Sequence, residues 1–268
     1  MGGKIIACVN EKGGVAKTTT IKNLAVGLAM KGKKVLAIDV DPSANLTKCL
    51  GMSPENEVGS ICEIIAKSIE VEDFPENFGI EHQEEGIDIV TSSGALHAYE
   101  SKLSDALQRE IVLRRYVYTV RDNYDYIFID CPAGLGIFVS NALFCADSVL
   151  VPVQPQYLGV EAMQNLFVEI NKVRKLNGTG RKPDLMGILF TMVRPNTNND
   201  RRVMEELRKT NSSTYIFSTY IPLGAKIPES DLARESIYKY EPNSTAALNY
   251  SDLVDEFLSL EEVADKAE

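Results

Sequence analysis

The stretch "EKGGVAKTTT", residues 11–20, constrains the fold more than any other part of the chain. It follows a short apolar, β-branched run at 4–10. After it, apolar residues repeat at helical spacing until Gly32: Ile21, Leu24, Ala25 and Leu28. A glycine loop between a strand and a helix directs backbone N–H groups and the helix dipole at one point, which suits phosphate. The sequence therefore predicts a nucleotide site.

The loop departs from the usual phosphate-loop pattern G-x-x-x-x-G-K-[ST]. Glu11 and Ala16 stand at the two glycine positions, while Lys17 and Thr18 agree with the pattern. We expect Lys17 to neutralise β and γ phosphate oxygens and the Thr18 hydroxyl to be a ligand of Mg²⁺. The loop residues expected to contact the nucleotide are Lys12, Gly13, Gly14, Val15, Ala16, Lys17, Thr18 and Thr19.

Strand-like and helical runs alternate along the rest of the chain. Near-continuous apolar strands separated by helices predict a doubly wound α/β fold, with a mostly parallel sheet covered by helices on both faces. The candidate strands are 4–10, 34–39, 86–92, 124–130, 148–153, 185–193 and 215–221. We interpret 1–268 as a single domain and expect the segment 52–85, richer in Glu, Pro and Asn, to be an excursion on its surface.

Composition narrows the class of protein. The net charge of −10 argues against a generally basic nucleic-acid coat, although a local basic patch is compatible with it. The five cysteines form no CxxC pair, which favours buried thiols in a reducing compartment. The most apolar region, 131–146, is too short and interrupted to span a bilayer. We therefore expect a cytoplasmic protein that does not use a membrane.

Several motifs occur in the order typical of one family. K-G-G-x-x-K-T resembles the deviant Walker A signature of the ParA/MinD family of P-loop ATPases. "VLAIDVDPSANLT" resembles its D-x-D-P strand end, and "YDYIFIDCPAGLG" its Walker B region. "VLVPVQPQYLGVEAMQNL", "GILFTMV" and "TYIPLGAKIPES" also resemble the ParA branch. The resemblance spans about 4–258 and is greatest to small partition ATPases that lack an N-terminal helix-turn-helix domain, which we expect to be absent here too.

The resemblance implies a role for each charged residue of the site. The signature lysine, Lys12 here, reaches across a dimer interface to the partner's ATP. Asp41 positions the attacking water, and Asp39 supports the loop and Mg²⁺. Asp130 ends an apolar strand, where an ionised group needs a charged partner, and Mg²⁺ held through water would supply one. Lys12, Lys17, Asp39 and Asp41 are thus the expected catalytic residues, and Thr18, Asp39 and Asp130 the expected metal site.

The resemblance also implies a purine pocket and a DNA surface. Met192 and Pro222 are expected beside the base, although packing alone would account for both. Lys226 stands where the family has a basic DNA contact, and Arg201 and Arg202 begin a helical run. Arg194 could compensate for Asn196, which stands where the family has an arginine. Other departures from the family pattern are Ala16, the Ser43–Ala44 pair in place of Gln-Gly, and Ala133 in place of proline.

Three functions remain open at this point. The first is a DNA partition ATPase whose ATP-bound homodimer binds duplex DNA non-specifically. A ParB-like, centromere-binding partner stimulates its slow hydrolysis and so releases it from DNA. Such a protein is nucleoid-associated. The second is a membrane-cycling ATPase of the MinD kind, which would need a basic amphipathic helix, whereas the tail "DEFLSLEEVADKAE" is acidic. The third is a metal or electron-transfer relative of the iron-protein kind, which would need paired cysteines at a dimer interface.

Overall fold

The computed structural model describes residues 2–53, 59–177, 182–210 and 214–265, with side chains omitted for 157–162 and 264–265. The strands are β1 (Lys4–Cys8), β2 (Val35–Asp39), β3 (Glu81–Gln83), β4 (Ile87–Val90), β5 (Tyr126–Asp130), β6 (Ser148–Val153) and β7 (Asp184–Phe190). The helices are α1 (Lys17–Met30), α2 (Asn45–Cys49), α3 (Ile61–Glu70), α4 (His97–Asp105), α5 (Val112–Val120), α6 (Ile137–Cys145), α7 (Tyr157–Leu176), α8 (Asn198–Thr210), α9 (Lys226–Ala233), α10 (Ile237–Tyr240) and α11 (Thr245–Asp265).

The described strands form one seven-stranded sheet in the order β3-β4-β2-β5-β1-β6-β7. All neighbouring strands run parallel except β3 and β4, which are antiparallel. Parallel strands place their carboxyl ends at one edge of the sheet, and the crevice outside that edge is where ligands bind in open α/β sheets. The prediction of a doubly wound, mostly parallel sheet is confirmed.

Helices cover both faces of the sheet, and successive residues of β1 accordingly belong to two different apolar cores. Ile5 and Ala7 belong to the apolar core beneath α3 to α8, whereas Ile6 and Cys8 belong to the core beneath α1, α2, α10 and α11. Because every residue of β1 from Ile5 onward is buried, its sequence is continuously apolar rather than alternating. The phosphate loop that follows β1 therefore starts from a rigid central strand.

The segment 215–221 is not a strand, contrary to expectation. It runs beside β7 and forms one isolated bridge with it, between Ile188 and Ile216. The backbone N–H groups of Ser218 and Thr219 instead donate to the carboxylate of Glu256 in α11, at 2.7 and 2.9 Å. The carboxylate of Glu256, a residue distant in sequence, thus accepts hydrogen bonds from backbone N–H groups that could otherwise pair with a neighbouring strand.

A further expectation is corrected in part of the segment 52–85, of which 54–58 lies outside the described residues. This segment contains α3, whose Ile61, Ile64 and Ile65 are buried in the core. It also contains β3, a short edge strand that sequence periodicity did not indicate. Part of the expected surface excursion is therefore core structure.

Candidate active site

The loop between β1 and α1 uses two left-handed backbone positions. Gly14 has φ 70° and Ala16 has φ 63° and ψ 33°. A residue with a Cβ in this region costs about 1–2 kcal/mol more than glycine does, which explains why a glycine is usual at the position of Ala16. Ala44, where the family often has glycine, is also left-handed, with φ 51°. Ala16 and Ala44 thus adopt the left-handed conformation that favours glycine, although both have a Cβ.

Two buried polar side chains that sequence reasoning missed hold this loop. Asn10 donates from Nδ2 to the carbonyl of Pro152 at 2.7 Å and accepts from the Lys12 N–H at 2.9 Å. The Thr191 hydroxyl donates to the carbonyl of Val15 at 3.0 Å. The ends of β1, β6 and β7 therefore fix the loop. A polar residue directly after an apolar strand was the one available signal for Asn10.

Lys17, the first residue of α1, lies under the loop. Its side chain is largely buried, and Nζ donates to the carbonyls of Asn10 and Lys12, both at 3.4 Å. These contacts are long for hydrogen bonds of an ammonium group, which normally measure about 2.7–2.9 Å to charged acceptors. The ammonium can therefore exchange two weak carbonyl contacts for stronger ones with phosphate oxygens.

Lys12 lies on the other side of the loop and faces the segment after β6. Its Nζ donates to Oε1 of Gln156 at 2.9 Å and to Oε1 of Gln154 at 3.4 Å. Because both partners are neutral amides, they position the ammonium group but do not offset its positive charge. Lys12 and Lys17 thus occupy different positions: Lys12 is half-exposed beside the loop, and Lys17 is largely buried beneath it.

The carboxylates of Asp39 and Asp130 stand side by side at the ends of β2 and β5, where they are register partners. The Thr18 hydroxyl donates to Oδ2 of Asp130 at 2.6 Å, while Oδ1 of Asp130 is buried with no hydrogen-bond partner. Asp39 accepts from the Thr47 N–H and hydroxyl at 2.9 and 2.8 Å and from the Asp41 N–H at 3.1 Å.

Burial disfavours the charge on both carboxylates. It raises the pKa of Asp39 to about 6, against the lowering effect of the Thr47 hydrogen bonds. Burial, followed by the repulsion from Asp39, raises the pKa of Asp130 well above its ordinary value, although Thr18 and Lys17 act in the opposite direction. A nearby cation would reverse both effects.

The residues present fit Mg²⁺. The unpartnered Oδ1 of Asp130 and the adjacent Thr18 hydroxyl are hard oxygen donors next to the phosphate loop. In phosphoryl-transfer sites Mg²⁺ is held by one or two carboxylates, waters and nucleotide phosphates, so no larger protein cluster is required. Asp39 is already satisfied by three donors, so its arrangement suits a supporting role more than direct ligation.

Asp41 lies beyond the end of β2 and lines the cleft outside the loop. Its Oδ1 accepts from the Ser43 N–H at 2.8 Å, and its carbonyl accepts from the Ser92 hydroxyl at 2.8 Å. The first bond orients the carboxyl group, and the second holds the backbone of Asp41. The carboxyl group could therefore orient a water at the phosphate end of the cleft.

The cleft has a volume of about 720 Å³ and contains the loop at one end. Met192 and Pro222, the two residues expected beside the base, both line it. Met192 is left-handed at φ 53°, which ends β7 earlier than expected, and its sulfur accepts from Nε2 of Gln154 at 2.6 Å. Much of the wall beside these residues is apolar: Ile221, Leu223, Ile227, Pro228 and Leu232. An apolar wall opposite a phosphate loop is suited to a nucleoside base.

The four basic residues expected to contact DNA are all exposed and are not among those that line the cleft. Lys226 begins α9 and pairs with Glu229 at 2.9 Å. Arg202 pairs with Glu206 one turn along α8, and Arg201 donates to the carbonyl of Pro195 at 2.8 Å. Arg194 lies in the loop after β7. Salt bridges this exposed contribute little stability, so both cations remain available to a phosphate backbone.

The described residues contain no helix long and apolar enough to cross a bilayer. All five cysteines are free and buried, including Cys131 beside the Walker B position. Burial raises the pKa of the Cys131 thiol well above its ordinary value, with a further contribution from Asp130. A thiol in this state is poorly suited to bind a metal cluster at an interface.

Comparison with known proteins places this site in a family. An AAA domain model matches residues 3–182. The sporulation initiation inhibitor protein Soj of Bacillus subtilis is 37% identical over 256 residues, which cover 95% of this chain and 98% of Soj. The chain belongs to the ParA/MinD family. The chromosome-partitioning ATPase Soj of Treponema pallidum is a further member of similar length, 30% identical over 96% of this chain and 98% of its own.

A solved structure shares this fold. Cobyrinic acid a,c-diamide synthase from Mycobacterium smegmatis, solved with bound ADP and magnesium, has a TM-score of 0.79 and 26% identity. The match covers 94% of this chain and 93% of that one. The ParA/MinD resemblance inferred from the sequence is thus confirmed, and the chain is a ParA-type P-loop ATPase.

Proposed function

We propose that this protein is a partition ATPase whose ATP-bound dimer binds duplex DNA without sequence preference and leaves it after hydrolysis. The observation that carries the proposal is the loop geometry: one lysine beneath the loop and a second, Lys12, beside it, next to a Thr18–Asp130 pair. The two Soj relatives, one of them a chromosome-partitioning ATPase, cover nearly the whole chain and support it.

ATP with Mg²⁺ is the proposed ligand of the cleft. Lys17 would bind the β and γ phosphates, and Thr18 and Asp130 would hold Mg²⁺, which supplies neutralisation of phosphate charge. Asp41 would orient a water, and Asp39, through Thr47 and the Asp41 N–H, would keep α2 and that carboxylate in place. Met192, Pro222 and the apolar wall would receive the base.

Lys12 is the proposed contact between subunits. Its ammonium is held by two neutral amides, so exchanging Gln154 and Gln156 for a phosphate costs no ion pair. Two ATP molecules that face each other would concentrate negative charge, and one lysine from each subunit would offset it. Hydrolysis would remove that charge and favour dissociation. We propose that a ParB-like partner accelerates this slow step.

A membrane-cycling function of the MinD kind has less support. A helix that lies on anionic lipid needs Lys or Arg on its polar face. The C-terminal helix α11, Thr245–Asp265, contains no Lys or Arg and carries acidic residues throughout: Asp252, Asp255, Glu256, Glu261, Glu262 and Asp265. Anionic lipid would repel it.

Parallel co-sedimentation tests the proposal against this alternative. The purified protein is incubated with ATP, ADP or no nucleotide, and then with random-sequence duplex DNA or with anionic phospholipid vesicles. We expect ATP-dependent recovery with DNA and none with vesicles. ATP-dependent recovery with vesicles and not with DNA would contradict the partition function and favour the membrane one.

A further inference from the structure

A buried polar network that the proposed reaction does not use joins α1 to α9 behind the phosphate loop. Lys22, in the second turn of α1, has a side chain with 0% exposure. Its Nζ donates to Oδ1 of Asp231 at 2.6 Å, to the carbonyl of Glu235 at 2.7 Å and to the Ser230 hydroxyl at 3.5 Å. We call these four residues the Lys22 network.

Neighbouring contacts extend the same junction. Oδ1 of Asn23 accepts from the Ile237 N–H at 2.8 Å, and a Cβ at Gly27 would lie 2.5 Å from the Tyr238 hydroxyl. Helix α1, which begins at the phosphate loop, is therefore tightly packed against α9 and α10. Burying a lysine is costly unless it is paired and hydrogen-bonded, and apolar side chains often fill such a place with equal or better stability. Stability alone does not account for the choice of an ion pair here.

Asp231 differs from the rest of the network because it also faces the cleft. Its side chain is 31% exposed, and the residue is part of the cleft lining. Its Oδ2 lies 3.5 Å from the Thr19 hydroxyl, a weak contact. Lys22 therefore holds one carboxylate oxygen from inside the protein, while the other is left at the cleft surface between Thr19 and the apolar wall.

We propose that Asp231 is a specificity-determining residue that recognises the nucleoside part of the bound nucleotide, and that Lys22 is its positioning residue. The inference rests on the proposed binding of ATP. Phosphates are assigned to the loop end of the cleft, so a carboxylate between Thr19 and the apolar wall lies on the nucleoside side. An ionised carboxylate only accepts hydrogen bonds, so it selects donors and repels carbonyl oxygens.

A nucleoside offers such donors from two sources. The ribose presents its 2′ and 3′ hydroxyls, and adenine presents its exocyclic amino group, where guanine has a carbonyl. In either case the site would discriminate because the wrong nucleotide would cover the Asp231 carboxylate and leave it unpaired, or place another acceptor opposite it. The hydrogen bond from Lys22 holds the Asp231 carboxylate in place, so little ordering is needed when the nucleotide binds.

Isothermal titration of four nucleotides tests this assignment: ATP, 2′-deoxy-ATP, 3′-deoxy-ATP and GTP, each with Mg²⁺. The main variant is Lys22→Met combined with Asp231→Ala, which removes both charges and so leaves no unpaired buried lysine. Asp231→Asn is a second variant that keeps the side-chain volume. Glu235→Gln is the matched control, because Glu235 contacts Lys22 through its backbone carbonyl, which the substitution keeps. Its side chain pairs with Lys239, and the residue is not among those that line the cleft.

We expect the wild-type protein and the control to prefer ATP over at least one analogue by roughly tenfold, since a hydrogen bond to a charged group is worth about that factor in affinity. The double variant should lose most of this preference. Loss of discrimination against a deoxy analogue assigns Asp231 to the ribose, and loss of discrimination against GTP assigns it to the base.

Two results would overturn the inference. One is a wild-type protein that binds ATP but binds all four nucleotides equally. The other is a folded double variant, or Asp231→Asn, that keeps the wild-type preference unchanged. A wild-type protein that binds no nucleotide at all would instead contradict the proposed function, so the two failures are distinguishable.

Discussion

Among single residues, Asp39 and Asp130 dominate the electrostatics of the site. They are register partners on neighbouring strands, both fully buried, and one oxygen of Asp130 has no partner. Their raised pKa values are the physical sign of a place that favours a cation. The protein without Mg²⁺ therefore has a destabilised site, as many active sites do.

Asp130→Asn is expected to stabilise the nucleotide-free protein by about 1–3 kcal/mol at neutral pH, because it removes a poorly compensated buried charge. The sign of the pH dependence follows from the raised pKa values. For each carboxyl group the cost of ionisation begins above the unfolded pKa of about 4 and is complete only above its own raised folded pKa, which is about 6 for Asp39 and also lies well above the ordinary value for Asp130. The stability gain should thus be small at pH 4 and grow towards pH 7, as measured by urea unfolding.

The same variant should fail to gain thermal stability from ATP and Mg²⁺, which the wild-type protein should gain. Asp122→Asn, an exposed site, is the control and should behave like the wild type in both respects. A loss of stability in Asp130→Asn at pH 7 would show that the charge on Asp130 is well compensated without a cation.

Lys12 and Lys17 should separate nucleotide binding from dimer formation. Lys17→Ala removes the ammonium beneath the loop and should reduce ATP affinity at least tenfold, since it deletes a charge-assisted contact. Lys12→Ala should retain ATP affinity within about threefold and yet form no dimer with ATP. Equilibrium dialysis and light scattering measure the two properties. Dimer formation by Lys12→Ala at the wild-type ATP concentration would show that its role is within the subunit.

Asp41→Ala should slow hydrolysis by about 10²-fold or more, the usual effect of losing a group that positions or activates water. The Thr18–Asp130 pair is untouched, so ATP and Mg²⁺ should still bind, and the dimer should persist instead of dissociating within a turnover. Phosphate release and the lifetime of the dimer after an ATP chase measure this. Hydrolysis at the wild-type rate would remove Asp41 from the mechanism.

How far the sequence predicts the site depends on how local each contact is. The positions of the loop residues, Thr18 and the strand-end carboxylates at one edge of the sheet could be predicted, because these residues are adjacent in sequence to apolar strands. The Lys22–Asp231 pair was not, because its partners are 209 positions apart and a lone lysine in a helix is usually exposed. Asn10 and Thr191 were missed for the same reason: each acts on a backbone atom of another segment.

Among the elements, α8 and α9 carry the basic residues proposed to contact DNA. Both helices begin at the carboxyl-end side of the sheet, after β7 and after the segment 215–221. Arg201 lies in the first turn of α8 and Lys226 is the first residue of α9. Because each is exposed and only weakly paired, substitution should affect binding without affecting the fold.

Lys226→Glu and Arg201→Glu should each weaken DNA binding at least tenfold while ATP-dependent dimer formation is unchanged. Reversing a charge removes one phosphate contact and adds repulsion, and the dimer doubles both effects. Lys209→Glu, the same change near the opposite end of α8, is the matched control and should bind like the wild type. If the control weakens binding as much as Arg201→Glu does, net charge rather than this patch governs the interaction.

Elements that depend on the local sequence were predicted better than elements that depend on a contact with a residue distant in sequence. The strands β1, β2, β5 and β6 were predicted from their short, continuously apolar runs of sequence. The segment 215–221 has the same apolar, β-branched character and is still not a strand, because Glu256 takes two of its N–H groups. Likewise β7 ends before Thr191, since Met192 adopts a left-handed conformation that no periodicity indicates.

At the scale of the whole molecule, an acidic protein is proposed to bind a polyanion. With a net charge of −10, long-range electrostatics oppose the approach to DNA, so affinity has to come from a local patch presented twice by a dimer. On this proposal the bound nucleotide would control DNA binding: a monomer would present one patch and bind weakly, and the ATP-bound dimer would present two. The acidic α11 would at the same time keep the protein away from anionic membranes.

The most direct test is the molar mass of the protein by sedimentation velocity with ATP or ADP, in the presence and absence of random-sequence duplex DNA, at 50 and 200 mM salt. We predict a monomer with ADP, a dimer with ATP, and co-migration with DNA only in the ATP sample. Binding to DNA should fall steeply between the two salt concentrations, as expected for phosphate contacts. DNA binding by the ADP-bound monomer, or binding that is the same at both salt concentrations, would contradict the account.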